Sequence, residues 1–327
     1  MSASLICELC PKSCRIPEGE AGDCRVRVNV GGKLRATTYG RPSAVHVDPI
    51  EKKPLFHFLP GTGTFSIATA GCNLHCKFCQ NWELSQRDGT EMEVRYQADP
   101  PKVVAGALQT GCRSIAYTYS DPVVFYEYTF DTARLAREKG LKNVLVTAGY
   151  ITPGPLRRLC KVVDASNTDL KYFDDGAYRR YSDATLKPVL DALVIQKEEG
   201  VWLEVTNLVV PTLNDDMEMI RKMCRWMVKH LGPDTPLHFS RFFPMYKLQN
   251  LPPTPVETLL RAREEGLAAG LRYVYVGNLH GGAEENTRCP SCGKDAVRRV
   301  GFQVLEMGVR DGRCRSCGGK IAGRWGA

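Results

Sequence analysis

The sequence predicts an α/β fold: a partial (β/α), TIM-like barrel with a small cysteine-rich module at its N-terminus and a ribbon module at its C-terminus. Three observations predict it. Strand-like and helix-like segments alternate through residues 56–285, the pattern of a parallel sheet with helical crossovers. The units number six or seven, short of the eight of a closed barrel. Eleven of the 14 cysteines fall in three tight groups, one near each end and one just after the first predicted barrel strand.

These groups divide the 327 residues into sections 1–55, 56–285 and 286–327. With 43% hydrophobic and 24% charged residues, the chain can bury a sizeable core without metal support. No run of about 18 apolar residues exists, so no helical membrane span is expected. The first residues lack an apolar signal core, so the expected location is cytoplasmic. In that reducing compartment, so many cysteines point to metals rather than disulfides.

In the first section, Cys7, Cys10, Cys14 and Cys24 follow the pattern Cys-x2-Cys-x3-Cys-x9-Cys. Four thiolates make a closed set, suited to zinc or to an auxiliary iron–sulfur cluster.

In the second section, strands are predicted at 64–70, 113–119, 143–149, 165–172, 201–210, 236–242 and 272–277. Three intervening helices carry end signals. Residues 123–140 stop at a glycine; 215–230 open on acids and close on Lys229 and His230; 254–270 begin Thr-Pro, with Glu257 placed for a capping box with Thr254. Functional residues are expected at the C-terminal strand ends. Alternation puts Trp202, Glu204 and Thr206 on one face of their strand, and likewise pairs Asp169 with Lys171 and His238 with Ser240. An interior holding Asp, Lys, Glu and His is too polar for a purely structural lumen and predicts a polar ligand there.

The stretch "GCNLHCKFCQNW" places Cys72, Cys76 and Cys79 on the loop after the first barrel strand. A four-iron cubane has four corners, and three cysteines leave one iron open, which is the mark of chemistry rather than scaffolding. A zinc site completed by His75 or Cys112 is the alternative. Cys112, Cys160 and Cys224 lack partners in sequence and are expected as small buried apolar residues. In the third section, Cys289, Cys292, Cys314 and Cys317 form two Cys-x2-Cys pairs separated by 21 residues, compatible with a zinc ribbon.

The formal charge of +8 lies at the ends: nine basic against six acidic residues in 1–55, and nine against three in 286–327. Thiolates on bound metals offset part of that excess, so neither nucleic acid nor a membrane is the expected partner.

The Cys-x3-Cys-x2-Cys loop resembles that of the radical S-adenosyl-L-methionine (radical SAM) superfamily. The resemblance implies a 4Fe-4S cluster on Cys72, Cys76 and Cys79. It also implies reductive cleavage of S-adenosylmethionine to a 5′-deoxyadenosyl radical that abstracts hydrogen from a substrate. It further implies that Phe78 lies against the adenine. The stretch "TYSDP" stands where the family usually has Thr-Tyr-Asn-Glu-Pro, so Ser120 and Asp121 fall where the methionine amino group is held. Asp121 before Pro122 also suits a helix N-cap. Ala148 in "VTAGY" replaces the usual Asn and removes an amide. Asp169 and Lys171 in "TDLKY" match a motif near the cofactor, and His238 in "PLHFSRFFPMYK" fits a ribose or cofactor contact. With "CELCPKSCRIPEGEAGDCRVR", "YVYVGN" and the terminal ribbon, the set resembles the AmmeMemoRadiSam system radical SAM protein family, related to pyruvate formate-lyase activating enzymes. The implied partners are a one-electron donor such as ferredoxin or flavodoxin, and a protein substrate or family-linked partner proteins. Activation of a glycyl-radical enzyme and modification of a nucleic acid are the alternative activities.

Overall fold

A computed structural model describes residues 4–89, 96–279 and 282–326. Its centre is an eight-stranded sheet of β1 (Ala44–Pro49), β2 (Gly63–Ala68), β3 (Ser114–Tyr117), β4 (Lys142–Thr147), β5 (Ala165–Asp169), β6 (Trp202–Val209), β7 (Leu237–Arg241) and β8 (Val274–Gly277). The strands lie in chain order, β2 to β8 are parallel, and β1 and β8 are unpaired with each other at the two edges. All seven predicted strands are present. The eighth was not expected: β1 falls within residues 1–55 and pairs antiparallel with β2.

The crossovers are α1 (Pro100–Gln109), α2 (Tyr126–Glu138), α3 (Pro153–Cys160), α4 (Asp175–Ser182), α5 (Leu186–Glu198), α6 (Met217–Leu231) and α7 (Val256–Ala268). Side-chain caps start several of them: Asp99 accepts from Lys102 N, Asp174 from Ala177 N and Asp216 from Met219 N. The capping box expected at Thr254 does not form. Thr254 is buried, its hydroxyl donates to Val209 O, and α7 starts after it without a side-chain cap. The apolar face of β6 (Leu203, Val205) joins one core cluster with Met223 and Met227 of α6 and Leu259 of α7. Cys112, Cys160 and Cys224 are buried core residues, as expected.

A segment of its own chain packs across this sheet. Residues 50–59 lie against the face opposite the helices and are gripped from strand after strand. Lys53 Nζ meets Asp48 of β1 at 2.7 Å, Asn167 Nδ2 of β5 donates to Pro54 O, and the ring of Phe56 packs on His238 of β7 and Tyr275 of β8. Glu204 of β6, fully buried, accepts from Phe56 N, His57 N, Trp202 Nε1 and His238 Nε2 at 2.7–3.0 Å. This corrects the expectation for the lumen. Its Glu204 satisfies the backbone of the segment that fills it, as a buried carboxylate requires, and His238 is its partner. His238 bonds Glu204 through Nε2 and packs on Phe56 and Tyr275 within this network.

The ends of the chain clasp the sheet. A hairpin of Arg27–Val30 with Lys33–Ala36 follows the N-terminal cysteines. At the C-terminus, β9 (Asp295–Val300) and β10 (Gln303–Met307) pair antiparallel beside the second four-cysteine group. The tail returns to the lumen segment, where Arg324 N donates to His57 O and His57 Nδ1 bonds Ala322 O.

Candidate active site at the strand ends

The cysteine loop leaves the end of β2 through Gly71, whose φ of +87° suits glycine. A Cβ there would stand 2.6 Å from Cys24 O and 2.7 Å from Val26 Cγ1, so glycine also lets the N-terminal module press on the loop. Each sulfur of the triad has one polar neighbour. Leu74 N donates to Cys72 Sγ at 3.4 Å. Cys76 Sγ lies 3.3 Å from Ser182 Oγ at the end of α4, and Cys79 Sγ lies 3.2 Å from Ser85 Oγ. A helical turn at Trp82–Ser85 positions Ser85. Sequence reasoning missed both serines. Ser85 lies six residues past Cys79 and was open to detection, whereas Ser182 is distant in sequence and carried no signal.

Around the triad stand the ends of β3, β4 and β5. Asp121 is buried, and its carboxylate accepts from Val123 N, Thr147 Oγ1 and Ala148 N at 2.8–3.1 Å. Ser120 Oγ donates to Thr69 O, tying β3 to β2. Both therefore lock strand ends together at the rim. Burial raises the Asp121 carboxyl above its ordinary range, against the pull of those hydrogen bonds. Lys171 donates to Asp169 Oδ2 at 2.6 Å, and its ammonium stands 5.8 Å from the Phe78 ring centre. Burial works against the Lys171 charge, but the Asp169 carboxylate and the Cys76 sulfur outweigh it and hold its pKa well above the ordinary lysine value. Asn207 and Asn214 fix this turn through Lys171 O.

Phe78 is buried, with its ring edge against Tyr172 at 6.2 Å. Burial pushes the thiols of Cys72 and Cys76 upward; the Asp121 charge adds to the first, and Lys171 opposes the second. Metal binding at such thiols displaces protons. His75, a conceivable ligand from sequence, points elsewhere. Its ring nitrogens meet Asp23 at 2.8 Å and Gln86 at 2.9 Å. Lys12 bridges Asp23 and Asp183, so this acidic pair beside His75 already has its cation.

The three cysteine groups differ in spread. All four C-terminal sulfurs lie within 4.8 Å of one another, with Cys289–Cys317 at 3.6 Å and Cys292–Cys314 at 4.0 Å. A tetrahedron with zinc–sulfur bonds of 2.3 Å has edges of about 3.8 Å, so these sulfurs fit one ion. Cys72, Cys76 and Cys79 form no such group. They are near enough to influence one another electrostatically, but their three sulfurs do not all lie within 4.8 Å of one another. A cluster gives each thiolate its own iron and so accepts sulfurs set wider apart than one ion does. Beside Cys76, Tyr172 Oη is fully buried without a hydrogen-bond partner among the described residues, a polar wall facing the triad region. The residues present thus fit a cluster.

A larger groove of about 980 Å³ lies at the opposite end of the strands, lined by Lys142, Asp164, Trp202 and the tail around Arg324. The triad takes no part in it.

Comparison with known proteins agrees with this geometry. The Radical SAM superfamily profile matches residues 66–226, which include the triad, Asp121 and Lys171. An uncharacterized protein of Methanocaldococcus jannaschii is 45% identical over 317 residues, covering 96% of this chain and 94% of that one. The pyruvate formate-lyase-activating enzyme of Clostridium pasteurianum is 25% identical over 156 residues, 47% of this chain and 64% of that enzyme. A radical SAM methyltransferase from Sphaerobacter thermophilus shares the fold, with a TM-score of 0.53 at 16% identity over 68% of each chain. The chain carries a Radical SAM superfamily domain over residues 66–226.

Proposed function

We propose that Cys72, Cys76 and Cys79 hold the 4Fe-4S cluster of this radical SAM enzyme, leaving its fourth iron for S-adenosylmethionine. The observation that carries the assignment is the spread of the three sulfurs on one loop at the C-terminal end of β2, beside a separate four-sulfur group drawn tight enough for a single ion. When bound, the cluster would supply one electron to the sulfonium, splitting S-adenosylmethionine into methionine and a 5′-deoxyadenosyl radical able to take hydrogen from the substrate.

The chain's own residues bind and orient. Leu74 N–H, Ser85 and Ser182 hydrogen-bond the three sulfurs and tune the cluster's potential. Lys171 brings a buried positive charge to the triad, held by Asp169 and suited to a carboxylate of the cofactor. Asp121 and Ser120 act as positioning residues, because their side chains fasten the ends of β2, β3 and β4. Phe78 and Tyr172 wall the site and limit water. Cys289, Cys292, Cys314 and Cys317 hold a structural zinc ion, a reading supported by their tetrahedral spacing.

We read section 56–285 as the catalytic unit, with 1–55 and 286–327 as metal-bearing modules. The motifs quoted above and the relation to the Clostridium enzyme support membership of the AmmeMemoRadiSam group, an electron supply from ferredoxin or flavodoxin in the cytoplasm, and a protein as radical acceptor. The test is anaerobic reconstitution of the wild type and Cys76→Ala, with metal analysis and quantification of 5′-deoxyadenosine. The wild type should form 5′-deoxyadenosine with reductant. Cys76→Ala should form none while its C-terminal zinc stays. A fully loaded wild type that yields no 5′-deoxyadenosine overturns the proposal.

A further inference from the structure

We propose that Cys7, Cys10, Cys14 and Cys24 hold an iron–sulfur cluster rather than a zinc ion. The four sulfurs line one pocket with apolar walls that include Ile16 and Val124. The hairpin of residues 5–16 carries the first three, with Cys7 N donating to Cys14 O at 2.9 Å. A separate turn brings Cys24. Gly22 makes that approach possible, since a Cβ on it would stand 2.9 Å from Ile16 Cδ1 and 3.6 Å from Cys14 Sγ.

One backbone donor already points at a sulfur of the set. Asp23 N donates to Cys14 Sγ at 3.5 Å. Such a donor suits a metal-bound thiolate.

Spread then separates the two metals. The C-terminal group provides the standard within the same molecule: its four sulfurs all lie within 4.8 Å of one another. Among the N-terminal four, no three do, although they share one pocket. In this they match the triad. One zinc ion would require edges of about 3.8 Å. Thiolates bound to different irons stand farther apart.

A second observation comes from Arg27, which lines the same pocket at 5% exposure. Its two terminal nitrogens pair with Glu127 at 3.0 and 2.6 Å, and its Nε–H has no hydrogen-bond partner among the described residues. A cluster offers inorganic sulfide as an acceptor. A zinc ion adds none beyond its thiolates.

The site also adjoins the catalytic loop. Asn73 follows Cys72 in sequence and lines the pocket. A cluster there is a one-electron centre beside the triad, placed to pass an electron from an external carrier.

The test uses full-length protein with Cys72, Cys76 and Cys79 all replaced by Ala, reconstituted anaerobically with iron and sulfide. It does not depend on the triad reading, because the triad is gone. About two to four irons with matching sulfide should remain per chain, with an EPR signal on reduction. Adding Cys10→Ala and Cys24→Ala should remove that iron while about one zinc stays at the C-terminal site, showing an intact fold. An iron-free triad variant overturns the proposal, whether it carries about two zinc ions per chain or one. If the triad variant does not fold, Mössbauer spectra of the wild type decide. Two cluster subspectra support the proposal, and one overturns it.

Discussion

Glu204→Gln tests whether the lumen is a structural plug or a ligand site. The carboxylate is fully buried and takes four donors: His57 N and Trp202 Nε1 on one oxygen, Phe56 N and His238 Nε2 on the other. Glutamine keeps one acceptor oxygen and turns the other into an NH2 group facing two N–H donors. Each orphaned buried donor costs roughly 1–3 kcal/mol, so the variant should lose about 2–6 kcal/mol. Urea unfolding of the metal-loaded protein, followed by far-UV circular dichroism, should show a lower midpoint at unchanged slope. His238→Phe alone should also destabilise. Combined with Glu204→Gln it should cost less than the sum, because the two share one hydrogen bond. Unchanged stability with abolished S-adenosylmethionine binding in Glu204→Gln would refute the plug and restore the lumen as a ligand site.

Three further outcomes follow from the same geometry. Ser85→Ala and Ser182→Ala each remove a hydrogen bond to a cluster sulfur, so the triad cluster should become harder to reduce, by on the order of 50 mV; EPR-monitored potentiometry with no downward shift in either contradicts this. Burial holds His57 down at about 4, below its unfolded value of about 6.5, with Glu204 pulling the other way. Between those values the unfolded chain binds a proton the folded chain does not, so stability falls as pH drops through 6.5 to 4, by up to about 3 kcal/mol. His57→Gln should flatten the limb between pH 6.5 and 5, and an unchanged limb contradicts the assignment. Gly71→Ala puts a methyl group 2.6 Å from Cys24 O in a left-handed conformation, and should loosen the N-terminal module and destabilise the fold by roughly 1–3 kcal/mol; unaltered proteolysis of residues 1–40 and an unaltered midpoint would count against that packing.

The parallel strands were legible because each is a short apolar run between turn signals, and the cysteine triad because its spacing is specific. Less was legible where one residue type serves two ends. Glu204 and His238 read as ligand-facing, since alternation correctly places them inside but does not say that residues 50–59 arrive to use them. That segment, "IEKKPLFHFL", has neither helical nor strand periodicity. Thr254 read as a helix cap, but its hydroxyl reaches Val209 O, 45 residues away. Ser182 and Asn214 were invisible for the same reason, because their partners are set by the fold and not by sequence neighbours. The spread of the N-terminal sulfurs is likewise a matter of geometry, and Cys-x2-Cys spacing alone is common to zinc and iron sites.

The central claim is that Cys72, Cys76 and Cys79 leave one iron open to S-adenosylmethionine. The most direct measurement is EPR of the reduced protein with and without S-adenosylmethionine carrying a 17O-labelled carboxylate. The account predicts a changed cluster signal with 17O hyperfine coupling, absent in Cys76→Ala. A cluster signal that S-adenosylmethionine leaves unaltered would contradict it.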